Sequence, residues 1–303
     1  MRIAVIGGSG FIGNRLIKKL IEEGYDTVNI DINEFPDKDF DVETRIVDIT
    51  KFDEVKKTLR DVNLVYHLAG PVLGTTRKDP YGSTYLAMLG TLNVLEACRQ
   101  NKIQKIIFAS TFYVYDGTEP KMIVNEETDL NILKMELFGA VKLKAESLIK
   151  EYSRKFGIDY VILRFGSAFG SGNCSNVIVT FIDLAMKGEP IEVWGPGKRK
   201  NQYTYVDDIA DGCIRAMNKT NETFNLIHPE QTSTGELARI LQKKHDFRIF
   251  FNTVQKEGSD MPYMSSRKAI EELGWRPTPL EEAIEKTVKE MIKDSKKEKS
   301  KNI

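Results

Sequence analysis

Apolar residues along this chain recur in two rhythms. Short β-branched runs alternate with longer stretches in which apolar residues return every three or four positions. Arg2–Ile6 reads as a strand. Phe11–Glu23 reads as a helix, with Leu16, Ile17, Leu20 and Ile21 on one face and Gly24 just past its C-terminal end. Further strands are predicted over 27–30, 45–47, 64–68, 105–109 and 160–165, with helices over 82–99 and 137–156 between the later ones. Strands alternating with helices predict βαβ units around a doubly wound parallel sheet, an α/β class. After Phe165 the pattern changes. Glycine and proline become frequent, and the elements shorten and mix. Ser233 and Glu236 have the spacing of a capping box, opening a helix through Leu241. The expected division is 1–168 for the first half, with return segments around 205–227, then 169–295 as a smaller mixed α/β lobe and 296–303 as a flexible basic tail.

The turn after the first strand carries the first chemistry. Gly7-Gly8-Ser9-Gly10-Phe11-Ile12-Gly13 joins a strand to a helix. Glycine there lets the backbone turn tightly and approach a pyrophosphate with no Cβ in the way, while the helix start offers free N–H groups and a positive dipole end. In this strand–turn–helix context the pattern predicts a Rossmann-type dinucleotide site, with Gly7, Gly10, Phe11, Ile12 and Gly13 around the pyrophosphate. Asp31 ends the second strand, where a carboxylate accepts from the adenosine ribose and repels a 2′-phosphate, so NAD is expected over NADP. Asp48-Ile49, after the third strand, is a second candidate for the adenine edge; the alternative is an ordinary turn aspartate.

Composition narrows the class. The 303 residues carry 44 Lys plus Arg against 44 Asp plus Glu. A net charge of zero argues against a protein built for nucleic acid. Cys98, Cys174 and Cys213 are scattered, as are His67, His228 and His245, and neither a disulfide framework nor a metal site is implied. No signal-peptide pattern precedes the Ile3 strand and no apolar run is long enough for a membrane span, so cytoplasm is the expected compartment.

Four further motifs then carry a resemblance: His67-Leu68-Ala69-Gly70, Gly90-Thr91-Leu92-Asn93-Val94-Leu95-Glu96-Ala97, Tyr205-Val206-Asp207-Asp208-Ile209-Ala210 and Leu273-Gly274-Trp275-Arg276-Pro277. With the glycine pattern they resemble, in order and over nearly the whole chain, the extended short-chain dehydrogenase/reductases of the nucleotide-sugar epimerase and dehydratase branch. The resemblance implies that Leu68, Ala69 and Gly70 line the cofactor. It also implies a Ser/Thr, a Tyr and a Lys as the chemical groups. The Tyr takes a hydroxyl proton as hydride leaves the same carbon for NAD; the Lys holds the nicotinamide ribose and lowers the Tyr pKa; the Ser/Thr hydrogen-bonds the reacting oxygen. Ser110-Thr111-Phe112-Tyr113-Val114-Tyr115 places Thr111 on the hydroxyl position.

The Tyr-x-x-x-Lys motif reads Phe138-Gly139-Ala140-Val141-Lys142, with Glu146 at the acidic position downstream. Lys142 is in place, but Phe138 has no hydroxyl to ionise. Other departures accompany it: Ala87 stands for an Asn, Asn201 for an Arg, and Lys256 for a later pyrophosphate Arg, although Arg199 and Lys200 lie close to Asn201. Two function classes stay open. One is an enzyme, either with Tyr113, Tyr81, Glu136, or Thr111 with water as its base, or doing slower redox chemistry with tightly held NAD in which solvent assists proton removal. The other is an NAD-binding regulatory or partner subunit. General acid–base help is worth roughly 10²–10⁴-fold, so its loss slows turnover without necessarily abolishing it.

On the substrate side the resemblance implies a nucleotide-diphosphate sugar. Arg164-Phe165-Gly166-Ser167-Ala168-Phe169-Gly170 resembles the strand and loop leading into that pocket, with Ser167 where an Asn is usual. Asn176, Val177 and Phe181 resemble the helix over the nucleotide, and Trp194 is placed to stack on the base. Arg199 and Lys256 are the cationic candidates for the diphosphate. The expected activity is oxidation of a sugar hydroxyl, at C4, in surface-glycan synthesis. Helices 82–100 and 137–156 are expected to pair across a homodimer.

Overall fold

The computed structural model describes residues 1–173, 176–243 and 247–301, with side chains through residue 296. Cys174 and His245 lie outside these residues. The first half runs β1 (Arg2–Ile6), α1 (Phe11–Glu22), β2 (Asp26–Asp31), β3 (Glu43–Ile46), α2 (Phe52–Thr58), β4 (Leu64–His67), α3 (Leu73–Lys78), α4 (Pro80–Asn101) and β5 (Lys105–Thr111). It continues with β6 (Ile123–Val124), α5 (Leu137–Phe156), β7 (Asp159–Phe165) and β8 (Ser167–Phe169). The second half contains α6 (Val177–Met186), β9 (Ile191–Trp194), β10 (Lys200–Asn201), β11 (Tyr203–Tyr205), α7 (Val206–Arg215) and β12 (Glu222–Leu226). It closes with β13 (Thr232–Ser233), α8 (Thr234–Gln242), β14 (Ile249–Asn252), β15 (Tyr263–Met264), α9 (Arg267–Leu273) and α10 (Leu280–Lys301).

Seven strands form one sheet in the order β12-β7-β5-β4-β1-β2-β3, every neighbouring pair parallel. The order reverses beside β1, which opens a crevice at the carboxyl ends of β1 and β4. A sheet covered on both faces needs strands that are apolar throughout, and β1 and β4 are buried almost end to end. One face packs α1 and α7 over Val5, Tyr66 and Leu163. The other packs α4 and α5 over Ala4, Val65 and Phe108. Leu16, Ile17 and Leu20 of α1 are fully buried, contributing roughly 1.5–3 kcal/mol each. Gly24 follows α1 at φ +84°, where a left-handed residue ends the helix.

The smaller lobe assembles from α6, α8 and α10 around Phe169, Ile191 and Leu237. The capping box forms as expected: Ser233 Oγ accepts from the Glu236 N–H, and Glu236 Oε2 accepts from the Ser233 N–H. Two motifs far apart in sequence meet on the α7 face of the main sheet. Trp275 is fully buried and its indole N–H donates to the carbonyl of Asp208 at 2.7 Å. The Asp208 carboxylate in turn accepts from the N–H and hydroxyl of Thr278. α10 continues through Lys301, so the segment expected as a flexible tail from 296 is helical as far as that residue. Among the described residues no helix is long and apolar enough to cross a membrane.

Candidate active site

The crevice is a cleft of about 910 Å³ running from the glycine turn, past the ends of β2 and β4, to α5. The turn is built by steric necessity. Gly7 sits at φ +87°, and a Cβ on it would come within 2.5 Å of the Ala69 backbone nitrogen. A Cβ on Gly13 would run into the Gly7 carbonyl. α1 begins after Gly10 with no side chain capping it. Its first N–H groups, from Phe11 to Gly13, therefore border the cleft as an anion site with the positive end of the helix dipole behind it.

Asp31 stands at the rim of this turn. Its carboxylate accepts the N–H of Ser9 at 3.1 Å and that of Asn33 at 3.0 Å, so both oxygens are held by backbone. Asp48 and Ile49 line the same end. Asp48 Oδ1 accepts from both the N–H and the hydroxyl of Thr50, as a turn aspartate does. Ile49 is buried beneath Gly90, and its carbonyl accepts from Asn93 of α4 at 2.9 Å. Leu68, Ala69 and Gly70 form the opposite wall.

At the other end the cleft brings together Thr111, Tyr113, Phe138 and Lys142. Thr111 ends β5 and its hydroxyl caps the short 3₁₀ turn 112–115 by accepting from the Tyr113 N–H at 3.3 Å. Phe138 and Lys142 lie one helical turn apart on α5, both more than nine-tenths buried. The Lys142 ammonium donates to the carbonyl of Ala109 at 2.9 Å and lies 4.9 Å from the Phe108 ring centroid. Burial pulls its pKa down from 10.5 to about 8, against a small upward pull from Glu146. Tyr113 meets Phe138 edge to face, with ring centroids 5.6 Å apart.

His67 lies behind Lys142. Burial, helped by the Lys142 charge, lowers its pKa to about 3, so the ring is neutral at physiological pH. Its Nε2 pairs with the Thr91 hydroxyl at 3.2 Å. Beneath the site a buried polar chain ties five segments together. Ser110 donates to Glu146 at 2.5 Å, and Arg164 holds Glu146 through two bonds of 2.8 and 3.1 Å. Arg164 also donates to the Tyr115 hydroxyl, which donates to Asn225 of β12. The Glu146 and Arg164 side chains are 1% and 3% exposed, so the pair fixes α5, which carries Lys142, against β7.

The remaining sequence candidates separate. Ser167 and Asn176 line the cleft, and Asn176 holds the corner by donating to Ser167 Oγ and the Ala168 carbonyl while its Oδ1 caps α6. Val177, Trp194, Arg199 and Lys256 are not among the residues lining it. Trp194 is 54% exposed at the end of β9, and Lys256 is exposed. Arg199 is half-buried and ties down its own lobe: its Nε donates to the Ser259 carbonyl and its N–H to Glu257. Of the alternative bases, Tyr81 is 83% exposed away from the cleft, and Glu136 is held bidentately by Arg77 at 2.6 and 3.0 Å. Tyr85, half-exposed on α4, does line the cleft. No motif marks Tyr85; the only signal was its place on the helix bordering the predicted cofactor strands.

The uncapped helix start, the glycine cradle, the Asp31 carboxylate and the Lys142 ammonium together fit a dinucleotide. A parallel doubly wound sheet with such a cleft defines a dinucleotide-dependent α/β protein. Residues 3–226 match the model of the NAD dependent epimerase/dehydratase family. The chain belongs to that family, and its cofactor is NAD. It is 32% identical over 302 residues to a Methanocaldococcus jannaschii protein provisionally named a UDP-glucose 4-epimerase, covering 94% of this chain and 97% of that one. It is 29% identical to UDP-glucuronic acid decarboxylase 1 of Danio rerio, covering 95% and 72% of the two chains. Among solved structures, UDP-glucose 4-epimerase of Thermotoga maritima with UDP-glucose superposes with a TM-score of 0.87 at 25% identity, covering 97% and 99%. UDP-glucuronic acid 4-epimerase of Bacillus cereus, with UDP-glucuronic acid and NAD, gives 0.83 at 26% identity, covering 95% and 98%.

Proposed function

We propose that this protein is an NAD-dependent enzyme that oxidises a hydroxyl of a nucleotide-diphosphate sugar, at C4, within surface-glycan synthesis. The observation that carries the reading is the convergence of Thr111 and Lys142 on the cleft that also holds Asp31 and the glycine turn. The nucleotide end is Gly7, Gly10, Phe11, Ile12 and Gly13 for the pyrophosphate, with Asp31 for the ribose and Asp48 and Ile49 for the adenine edge. NAD, when bound, accepts the hydride. Lys142 holds the nicotinamide ribose and places positive charge beside the reacting oxygen. The Thr111 hydroxyl donates to that oxygen. Ser167 and Asn176 border the sugar nucleotide. UDP sugars are the first substrates to test, because the relatives named above are described by them.

We read residues 1–168 with 205–227 as the cofactor half and 169–295 as mainly the substrate half. The homodimer is assigned to α4 and α5, whose outer positions carry Tyr81, Leu92 and Leu137 exposed to solvent.

The second reading, a silent NAD-binding regulatory subunit, is favoured by one observation: Phe138 occupies the helix position one turn before Lys142 without a phenol. Single-turnover NADH formation and product mass, with UDP-glucose and UDP-glucuronic acid, decide between them. Turnover of either sugar supports the enzyme. Bound NAD with neither sugar bound nor oxidised supports the silent subunit.

A further inference from the structure

Two tyrosines line the cleft among the described residues, Tyr85 and Tyr113. Tyr85 stands half in solvent on α4. Tyr113 is set differently. Its backbone is fixed by the Thr111 hydroxyl, and its ring is clasped between Phe112, at 4.4 Å between centroids, and Phe138, at 5.6 Å and 70°. Two aromatic neighbours and a turn of 3₁₀ helix leave this ring little freedom. Elsewhere, the hydroxyls of Tyr66, Tyr115, Tyr205 and Tyr263 are each engaged in hydrogen bonds within the protein. Tyr113 is thus a rigid phenol on the same turn as Thr111 and against the ring that lacks an oxygen.

We propose that Tyr113 supplies the proton-moving phenol of this cleft, displaced from the α5 position that Phe138 fills. The proposal rests on the nucleotide-sugar reading above. In the oxidative direction the sugar O–H bond breaks and its proton passes to the Tyr113 phenolate oxygen. The C–H bond of the same carbon breaks, its electron pair leaves as hydride to the oxidised nicotinamide dinucleotide, and a C=O bond forms. On return of the hydride the Tyr113 O–H gives its proton to the new alkoxide.

In the free protein Tyr113 rests as a neutral phenol, so it gives its own proton to solvent before it takes the sugar's. Burial raises its pKa above the usual value of 10. Arg199, from the loop after β9, and Arg77 of α3 pull it down, while Glu136, ahead of α5, and Asp116, after the 3₁₀ turn, push it up. Arg77 and Glu136 are bonded to each other and largely cancel, which leaves Arg199 as the main cation bearing on the phenol. When bound, an oxidised nicotinamide would add positive charge to the cleft and favour the Tyr113 phenolate.

The test is Tyr113→Phe in the full-length chain, read in three ways. Single-turnover NADH formation should fall by roughly 10²–10⁴-fold, with affinities for NAD and for UDP-sugar unchanged. Adding Phe138→Tyr to Tyr113→Phe should recover part of the loss. Independently of turnover, near-ultraviolet titration should show one phenol that is absent from Tyr113→Phe and whose midpoint falls when NAD is bound. Wild-type rates in Tyr113→Phe would overturn the proposal and leave the enzyme reading intact. A rate loss explained wholly by lost UDP-sugar binding, or a phenol midpoint indifferent to NAD, would also overturn it. Absence of UDP-sugar binding and turnover in the wild-type protein overturns the nucleotide-sugar reading and this proposal with it.

Discussion

The Asp31 carboxylate accepts the Ser9 N–H across 3.1 Å, so the end of β2 is latched onto the glycine turn. The carboxylate is therefore held in place before any ligand arrives. On the proposed reading, a ribose hydroxyl would gain a fixed acceptor there and a 2′-phosphate would meet a fixed negative charge. Calorimetry should show NAD binding much more tightly than NADP. Asp31→Ala should narrow that gap, because the repulsion goes while no phosphate partner appears. Equal affinities in the wild type would sink the role given to Asp31.

Phe138→Tyr separates a lost phenol from a displaced one. With Tyr113 serving as the phenol, the added hydroxyl alone leaves single-turnover NADH formation near the wild-type rate. A rise of roughly 10²–10⁴-fold would instead mean that the native cleft lacked a positioned base.

Lys142 gives the apo protein a pH dependence with a definite sign. Its folded pKa near 8 lies below the 10.5 of a free lysine. Below about pH 8 both folded and unfolded chains carry the proton, and folding bears the full cost of burying the charge, about 3 kcal/mol. Between about pH 8 and 10.5 the unfolded chain keeps a proton that the folded one has lost, so this cost fades as pH rises. Lys142→Met should therefore be more stable than wild type at neutral pH, and the difference should close toward pH 10.5 in denaturant melts across that window. A difference that stays constant with pH would count against a buried, destabilised ammonium.

The Glu146–Arg164 pair should be costly to break and cheap to replace. Glu146→Ala leaves a buried guanidinium uncompensated and should lose about 3–5 kcal/mol in urea unfolding. The double change Glu146→Leu with Arg164→Met should regain most of that stability. If the single change costs no more than a surface substitution, the pair does not anchor α5 to β7.

Much of the glycine-turn end of the cleft was legible in the sequence because most of its determinants are local. Gly13 is dictated by the Gly7 carbonyl within the same turn, Gly7 by its positive φ as well as by the Ala69 backbone packed against it, and Asp31 by the end of a strand that the sequence pattern already marks. Phe138 and Lys142 share a face because an α-helix repeats every 3.6 residues, whatever surrounds it. The Trp275 motif was recognisable too, although its task was not: the indole anchors the end of the chain to the Asp208 carbonyl.

Tertiary structure alone decided the rest. Whether Trp194 faces the base depends on how the small lobe packs, and β9 turns it outward to 54% exposure. Tyr81 and Tyr85 are four positions apart on α4, yet only Tyr85 reaches the cleft, because α4 borders it at one point. Glu146 and Arg164 are individually visible in sequence, but their pairing needs α5 laid across β7. The neutrality of His67 and the lowered pKa of Lys142 come from shared burial, which no residue carries on its own. Sequence thus determined the glycine turn, the strand–helix alternation of the sheet and the placing of Phe138 one turn before Lys142, since each follows from neighbours along the chain. The contact of Tyr113 with Phe138 joins a turn after β5 to the start of α5, and only the folded sheet brings those two segments together.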